Sequence, residues 1–383
     1  MLKKNWHWGL FLLVIVAVLL ILSEIFGLFS RSDVPMAFVP DGILINFAPQ
    51  NFVDIHVAND GFFLANDDGM RFFDMDGLEV FSHNFTMEQP AMIGRGDFAA
   101  VAERRGHTLH VYSTSDNIFT IRSESPIISF SLSIQGLVSV VSYNNGTYEI
   151  SVYESTGRLN HIIPYNDTVT IPIATDISDD GQILAISFLN INDAQMRGAI
   201  QFRTIRGNGA EQSGEVFAMS LESHNQVIGA IRFMDGNGLI AISDQRFFLI
   251  NPDNSAQIVW EIELNNHIFD MNFGNDWFAM GFGDPILNRS GYPSGTIVAY
   301  DLSGDVIFSH ENQGRITQLV GRSRDLIVGI HNHFTALNHN GDILWQYSAP
   351  TNVNSLHFFR DRSTAISLST TDATMLSWRR INQ

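Results

Sequence analysis

The sequence has no cysteine, and its only lysines, Lys3 and Lys4, stand at the extreme N-terminus. The first absence removes disulfides, thiolate nucleophiles and cysteine-held metals together, and the second removes lysine nucleophiles from nearly the whole chain. Charge is scarce as well: charged residues make up 16% of the chain, yet they sum to a formal −18. A surface this acidic argues against nucleic acid as a partner, because affinity for phosphate backbones comes from lysine and arginine neutralising them. It reads first as a solubilising surface, and second as one that attracts cations or basic polypeptides. Beyond the N-terminal apolar run, no stretch has helical apolar spacing long enough to trust.

What is present is a succession of short strands rich in Ile, Val, Phe, Leu and Ser, separated by turn signals, so the fold class is all-β. The turn dipeptides Asp68-Gly69, Asp76-Gly77, Asn145-Gly146, Asp180-Gly181, Asp235-Gly236 and Asn340-Gly341 supply residues that accept positive φ in tight hairpins. Gly42, Gly77, Gly157, Gly304 and Gly341 each precede a predicted outer strand, and the spacings of 35, 80 and 37 are one or two units of roughly 40 residues. That is the length of a four-stranded propeller blade.

Seven such units fall at residues 52–84, 90–122, 127–163, 170 onward, 226–264, 267–309 and 315–347. The fourth carries enlarged loops at 190–198 and 206–214, and the sixth an insertion at 284–293. A last set, at 353–359, 364–368 and 375–379, has only three strands. Near the other end, Asp41-Gly-Ile-Leu-Ile-Asn-Phe-Ala-Pro49 resembles Asn340-Gly-Asp-Ile-Leu-Trp-Gln-Tyr-Ser-Ala-Pro350. The early copy supplies the missing fourth strand, closing a β-propeller of eight four-stranded blades and removing its exposed edges. A seven-bladed ring is the alternative, should the fourth unit be miscounted.

The N-terminus reads as residues 1–7 cytoplasmic, 8–29 a transmembrane helix, 30–36 a tether and 37–383 the propeller. Trp8 to Phe29 is 22 residues, about 33 Å as a helix, enough for a bilayer core. Lys3 and Lys4 outnumber Arg31 on the far flank, which places the N-terminus inside and the propeller outside. A cleaved signal peptide competes with this reading, but no Ala-x-Ala-like site follows the apolar run.

Chemistry-bearing patterns are weak. His331-Asn-His333, near His339, has a zinc-like spacing but falls in a predicted hairpin turn. Asp67-Asp-Gly69 and Asp74-Met-Asp-Gly77 could hold calcium, although Asp-Gly is also ordinary hairpin chemistry. No Gly-x-Ser-x-Gly elbow is present. The sequence therefore assigns no catalytic, metal or cofactor-binding residue. Asp284, Arg289 and Tyr292 in the sixth-unit insertion and Glu211 in the fourth are the candidates for a ligand rim over the channel. Phe72-Phe73, Phe247-Phe248 and Phe358-Phe359 put one ring on each face of a strand, and Trp260 and Trp345 sit in outer-strand contexts, all reading as blade packing.

Met70-Arg-Phe-Phe-Asp-Met-Asp-Gly-Leu-Glu-Val-Phe81, Ile297-Val-Ala-Tyr-Asp-Leu-Ser-Gly-Asp-Val-Ile-Phe308 and Ala336-Leu-Asn-His-Asn-Gly-Asp-Ile-Leu-Trp345 resemble the quinoprotein-type repeat. Over nearly its full length the chain resembles membrane-anchored, quinoprotein-like propellers of unknown function from Gram-positive bacteria. The resemblance implies a fold and no activity. The vicinal disulfide and calcium-bound cofactor pocket of quinone-dependent dehydrogenases are missing, so no cofactor is implied. The reading that follows is a non-enzymatic, membrane-tethered protein-interaction scaffold outside the cell, with an envelope protein as partner. A receptor or enzyme for a small molecule or cell-wall glycan is the alternative.

Overall fold

The computed structural model describes residues 36–47, 52–165, 169–191, 196–205, 216–219, 223–224, 226–253, 255–264, 267–274, 276–283, 294–322, 325–349, 353–359 and 363–380. The segment 8–29, read as a membrane anchor, lies outside them, as does the tether up to residue 35. Among the described residues no helix is long and apolar enough to cross a membrane. The chain divides into two compact units, Met1–Val39 with Trp378–Gln383, and Pro40–Ser377. Within the first, the rings of Phe38 and Trp378 meet edge to face at 5.0 Å.

The second unit holds the propeller. Apart from one 3₁₀ turn at Asp235–Asn237, every regular element described is a strand. Blade one is β2 (Val53–Val57), β3 (Gly61–Asn66), β4 (Gly69–Asp74) and β5 (Glu79–Asn84). Blade two is β6 (Pro90–Arg95), β7 (Phe98–Glu103), β8 (Thr108–Ser113) and β9 (Asn117–Arg122), and blade three β10 (Ile127–Leu132), β11 (Val138–Asn144), β12 (Thr147–Tyr153) and β13 (Leu159–Tyr165). Blade four has β14 (Thr170–Ile177), β15 (Ile183–Asn190), β16 (Arg197–Thr204) and β17 (Val216–Met219), with a short β18 (Ser223–His224) also on β16. Blade five is β19 (Ile228–Phe233), β20 (Leu239–Ser243), β21 (Arg246–Asn251) and β22 (Gln257–Glu263). Blade six is β23 (His267–Phe273), β24 (Trp277–Gly283), β25 (Ser294–Asp301) and β26 (Val306–Gln313), and blade seven β27 (Gln318–Arg322), β28 (Asp325–Ile330), β29 (His333–Leu337) and β30 (Ile343–Ser348).

Blade eight joins the two ends of the chain. Its order is β1 (Met36–Asn46), β33 (Asp372–Arg380), β32 (Thr364–Leu368) and β31 (Ser355–Phe358), so the N-terminal strand is its outermost member. Thr371 O accepts from Phe47 N at 2.9 Å, and the Ser377 hydroxyl donates to the Asp41 carboxylate. The eight-bladed count and the terminal closure both hold. One detail differs: Asp41-Gly42 lies inside β1 rather than in a turn before it. The strand begins earlier because β33, at nine residues, gives it a longer partner than any other blade offers.

Burial explains the strand sequences. The second strand of a blade is covered on both faces by the neighbouring blades and reads as a near-continuous apolar run: Phe62 to Ala65, Ala99 to Ala102, Leu239 to Ile242 and Trp277 to Met280 are all buried. Outer strands are covered on one face only, and β5, β22 and β30 alternate accordingly. The paired phenylalanines divide as expected, Phe73 packing with Phe62 and Phe359, Phe72 with Phe63 and Met87.

The turn before several outer strands is one repeated device. The Oδ1 atoms of Asp74, Asp301 and Asn338 each accept two backbone N–H groups, from Asp76 and Leu78, Ser303 and Asp305, and Asn340 and Asp342, at 2.8–3.0 Å. The glycine that closes each turn, Gly77, Gly304 or Gly341, has φ of +80° to +85°. Asp74 is thereby engaged with its own backbone. Among the described residues no group of three or more His, Cys, Asp or Glu is arranged to hold a metal ion.

These glycines also receive the preceding blade. A Cβ on Gly304 would stand 2.9 Å from the Trp260 ring, on Gly341 2.9 Å from Phe308, on Gly157 2.7 Å from Phe119 and on Gly77 2.6 Å from Leu44. Trp260 further donates its Nε1–H to Leu302 O at 2.9 Å. The outer strand of one blade thus laps the turn of the next, and at the closing junction the clasp strand β1 supplies the lapping residue.

Candidate functional site: the channel and its cavities

The first strands of the blades, β2, β6, β10, β14, β19, β23, β27 and β31, surround the central channel, and none pairs with its neighbour. Polar side chains bridge the gaps. Asp176 Oδ2 accepts from Phe233 N and Asp270 Oδ2 from Leu319 N, each at 2.7 Å. Gln318 pairs with Leu356, accepting from its N at 2.9 Å and donating to its O at 3.3 Å, and the His56 ring donates from Nε2 to Gly96 O at 2.8 Å.

Arg95 reaches further. From the end of β6 it passes the mouth of blade three, donating to Asp176 at 2.9 and 3.2 Å, to Asp179 at 2.7 Å and to Phe233 O at 3.3 Å. Arg95 and Asp176 are buried, so this is an ion pair taken out of water with its donors nearly all used. Three blades are held by one side chain.

Burial shapes the remaining titratable groups. It pushes the Asp54 carboxyl up to about 6, against the pull of Ile55 N–H, and raises Asp270 despite the amides of Leu319 and Met271. It pushes His357 down to about 4, helped by nearby His56, so that ring is neutral near pH 7. Asp235 is raised by burial and by the charges of Asp179 and Asp276. For Arg232, burial and the Arg95 charge act downward against the attraction of Asp176 and Asp179.

Two cavities open near these groups. One, of about 500 Å³, lies at the end of the channel where the first strands turn into the second, and is lined by His56, Arg95, Asp179, Arg232, Asp235 and Asn272 among others. The second, of about 840 Å³, lies between blades two and three at the opposite blade end, with Ile93, Arg104, Pro126, Ile128, Tyr143 and Tyr148 in its wall.

The rim candidates Asp284, Arg289, Tyr292 and Glu211 all lie outside the described residues. Of the strands they link, β16 and β17 are third and fourth in their blade while β24 and β25 are second and third, so the two flanking strand ends face opposite ends of the propeller. His331 is in the hairpin turn, with φ +56°, and His333 opens β29 with its Nδ1 against the Ser348 hydroxyl at 2.8 Å. Sequence reasoning missed Arg95, Asp176, Arg232 and Asn272. Their only signal is a charged or amide side chain within an otherwise apolar inner strand, as in Ala-Met-Ile-Gly-Arg95.

From residue 49 to residue 374 the sequence matches the model of a family described as Family of unknown function (DUF5711). The chain belongs to that family. No curated protein matches it. Among solved structures, this family member is similar to BamB from Moraxella catarrhalis, at 14% identity and a TM-score of 0.55, over 89% of this chain and 100% of that one. It is also similar to Hsv2p of Kluyveromyces lactis, at 11% identity and a TM-score of 0.50, over 79% of this chain and 100% of that one. At these identities the likeness shows the fold alone, and the strand order makes that fold an eight-bladed propeller.

Proposed function

We propose that the protein is a non-enzymatic, membrane-tethered propeller that presents a protein-binding surface outside the cell, in an envelope of the Gram-positive type. The observation that carries this reading is a belt of exposed apolar side chains at or near the starts of the outer strands. Leu78, Leu159, Val259, Val306 and Ile343 are 45–66% exposed although each belongs to a strand or its leading turn. Isolated exposed leucines need no explanation, but exposed apolar residues recurring near the start of one outer strand after another do. Outer strands also end each sheet with an unpaired edge, the element to which a partner strand adds.

Anchoring rests on the uncharged run within residues 8–29 and on Lys3 and Lys4 at its inner flank. Crosslinking the full-length protein in intact cells, followed by affinity capture, is expected to recover one recurrent envelope protein. Changing Val259 and Val306 together to Glu should lose that partner without lowering the melting temperature. Capture of the same protein by the double variant would refute the belt. For the anchor, retention in the membrane after alkaline extraction, with protease removing the propeller from outside whole cells, is the expected outcome. The second reading, a receptor or enzyme for a small molecule or wall glycan, is favoured by the two cavities.

A further inference from the structure

The larger cavity, between blades two and three, has two cations in an otherwise largely apolar wall. Arg104 and Arg105 stand in the turn between β7 and β8, and both line the cavity and are exposed. Neither side chain makes a hydrogen bond or an ion pair among the described residues. In a chain with 40 acidic residues against 22 basic ones, this doublet is a local reversal of the overall charge. The turn that carries it is fixed. Arg105 N donates to Ile127 O at 2.9 Å and Ile127 N to Gly106 O at 2.8 Å, which stitches this turn of blade two to the first strand of blade three. Arg105 takes a φ of +59°, a left-handed conformation kept only where the surroundings impose it. Glu103, the one acid among the described lining residues, is folded away: one oxygen accepts from Glu88 N at 3.1 Å, and the other lies over Gly106, where a Cβ would meet it at 2.7 Å.

The rest of the wall is apolar and open to solvent. Ile128 is 44% and Tyr143 39% exposed, and Ile93 and Phe130 are half-buried. A bulge in β10 between Ile127 and Ser129 leaves Ile128 unpaired. Tyr143 and Tyr148 face each other across β11 and β12, with ring centroids 4.6 Å apart. An inorganic anion would satisfy the arginines and leave this surface wet. An uncharged apolar molecule would cover the surface and leave the arginines without an acceptor. A polyanion would meet Glu103 and the acidic field of the whole chain.

We propose that this cavity binds an aromatic monocarboxylate, its carboxylate on Arg104 and Arg105 and its rings against Tyr143, Ile128 and Phe130. Charge complementarity selects the head group, because the guanidinium fork matches a planar carboxylate, and the open tyrosine pair selects the body. The volume, about 840 Å³, lies in the range of sites for drug-sized molecules. The proposal rests on the small-molecule reading and gives it a ligand class. No residue of the outer-strand belt lines this cavity, so its failure leaves the protein-binding reading standing.

The test is equilibrium dialysis of the full-length protein in phosphatidylcholine nanodiscs, with empty nanodiscs in the opposite chamber. The probes are 2-naphthoate and biphenyl-4-carboxylate, beside 2-naphthamide and 2-naphthylmethylammonium, which keep the rings and change the charge. At least one carboxylate is expected to bind, with the amide about fivefold to tenfold weaker and the ammonium weaker still. Arg104→Gln with Arg105→Gln should bring the carboxylate down to the affinity of the amide and leave the amide unchanged, which shows the cavity to be intact. Tyr143→Ser should weaken carboxylate and amide alike, by about threefold to tenfold, with the melting temperature checking the fold. Failure of both carboxylates to bind at millimolar concentration overturns the proposal, and so does a carboxylate affinity that either variant leaves unaltered. Binding of the amide or the ammonium as tightly as naphthoate also overturns it, while keeping the small-molecule reading: the groove would then be an apolar surface indifferent to charge.

Discussion

Around the rim, Trp260 covers Gly304, Phe308 covers Gly341, Phe119 covers Gly157 and Leu44 covers Gly77. In the channel the blades are joined by His56, Arg95, Asp176, Asp270 and Gln318, each with its own partner. The rim contact repeats because it is non-directional: any large apolar side chain can cover a glycine that has no Cβ. The channel contacts vary because a backbone N–H or C=O can be satisfied by several side chains, and each blade has found its own. The rim thus carries the repeat, and the channel departs from it.

The largest effect should come from the rim's closing junction. Deleting residues 36–46 removes the fourth strand of blade eight, bares the edge of β33 and uncovers Gly77. The single cooperative transition expected of the intact ring should be lost in calorimetry. A truncated protein that melts like the intact one would mean that the channel contacts alone hold the circle.

Next comes the channel's ion network. Arg95→Ala leaves Asp176 buried and unpaired, at an expected cost of about 3–5 kcal/mol in urea unfolding. Adding Asp176→Asn should recover part of that loss, because the amide oxygen still accepts from Phe233 N while the stranded charge is gone. Failure of the second change to recover anything would show that Arg95 acts by packing. A smaller loss is expected back on the rim. Trp260→Ala should cost about 2–3 kcal/mol through lost contact and the lost bond to Leu302 O. Gly304→Ala should cost about 1–2 kcal/mol through its φ of +85° and the Trp260 ring. The two act at one contact, so the double variant should lose less than the sum.

The same contrast explains what could be read from sequence. Rim contacts rest on a glycine at a fixed offset from an aromatic, as in Gly341-Asp-Ile-Leu-Trp345, and a pattern repeated along the chain is visible without coordinates. The clasp was legible because Leu44, aligned by the shared Ala-Pro, stands where Trp345 stands in its blade. Arg95 and Asp176 are 81 residues apart and follow no period. Only ring closure brings blade two opposite blade four, so no local signal marks them. Asp284 and Arg289 show the opposite case: insertions are conspicuous in sequence whether or not they border a cavity.

The smallest expected effect lies in the channel and has opposite signs at two residues. Asp54 is raised from 3.8 to about 6, so its folded form holds a proton more tightly than the unfolded chain; that stabilisation is full below about pH 4 and lost as the pH rises through about 6. His357 is lowered from 6.5 to about 4, so its contribution is present above pH 6.5 and lost as the pH falls through about 4. Between those limits the two slopes oppose each other and flatten the profile. Asp54→Asn removes one of them. The variant should be more stable than the parent at pH 7.5, by about 1 kcal/mol because water still reaches part of the side chain, and the gain should vanish towards pH 4. Its own stability should then fall more steeply with acid, following His357. Melting temperatures at pH 7.5, 6 and 5 decide it: a gain independent of pH would mean that Asp54 costs stability by its shape, and that the channel tolerates its charge as easily as the rim tolerates a surface acid.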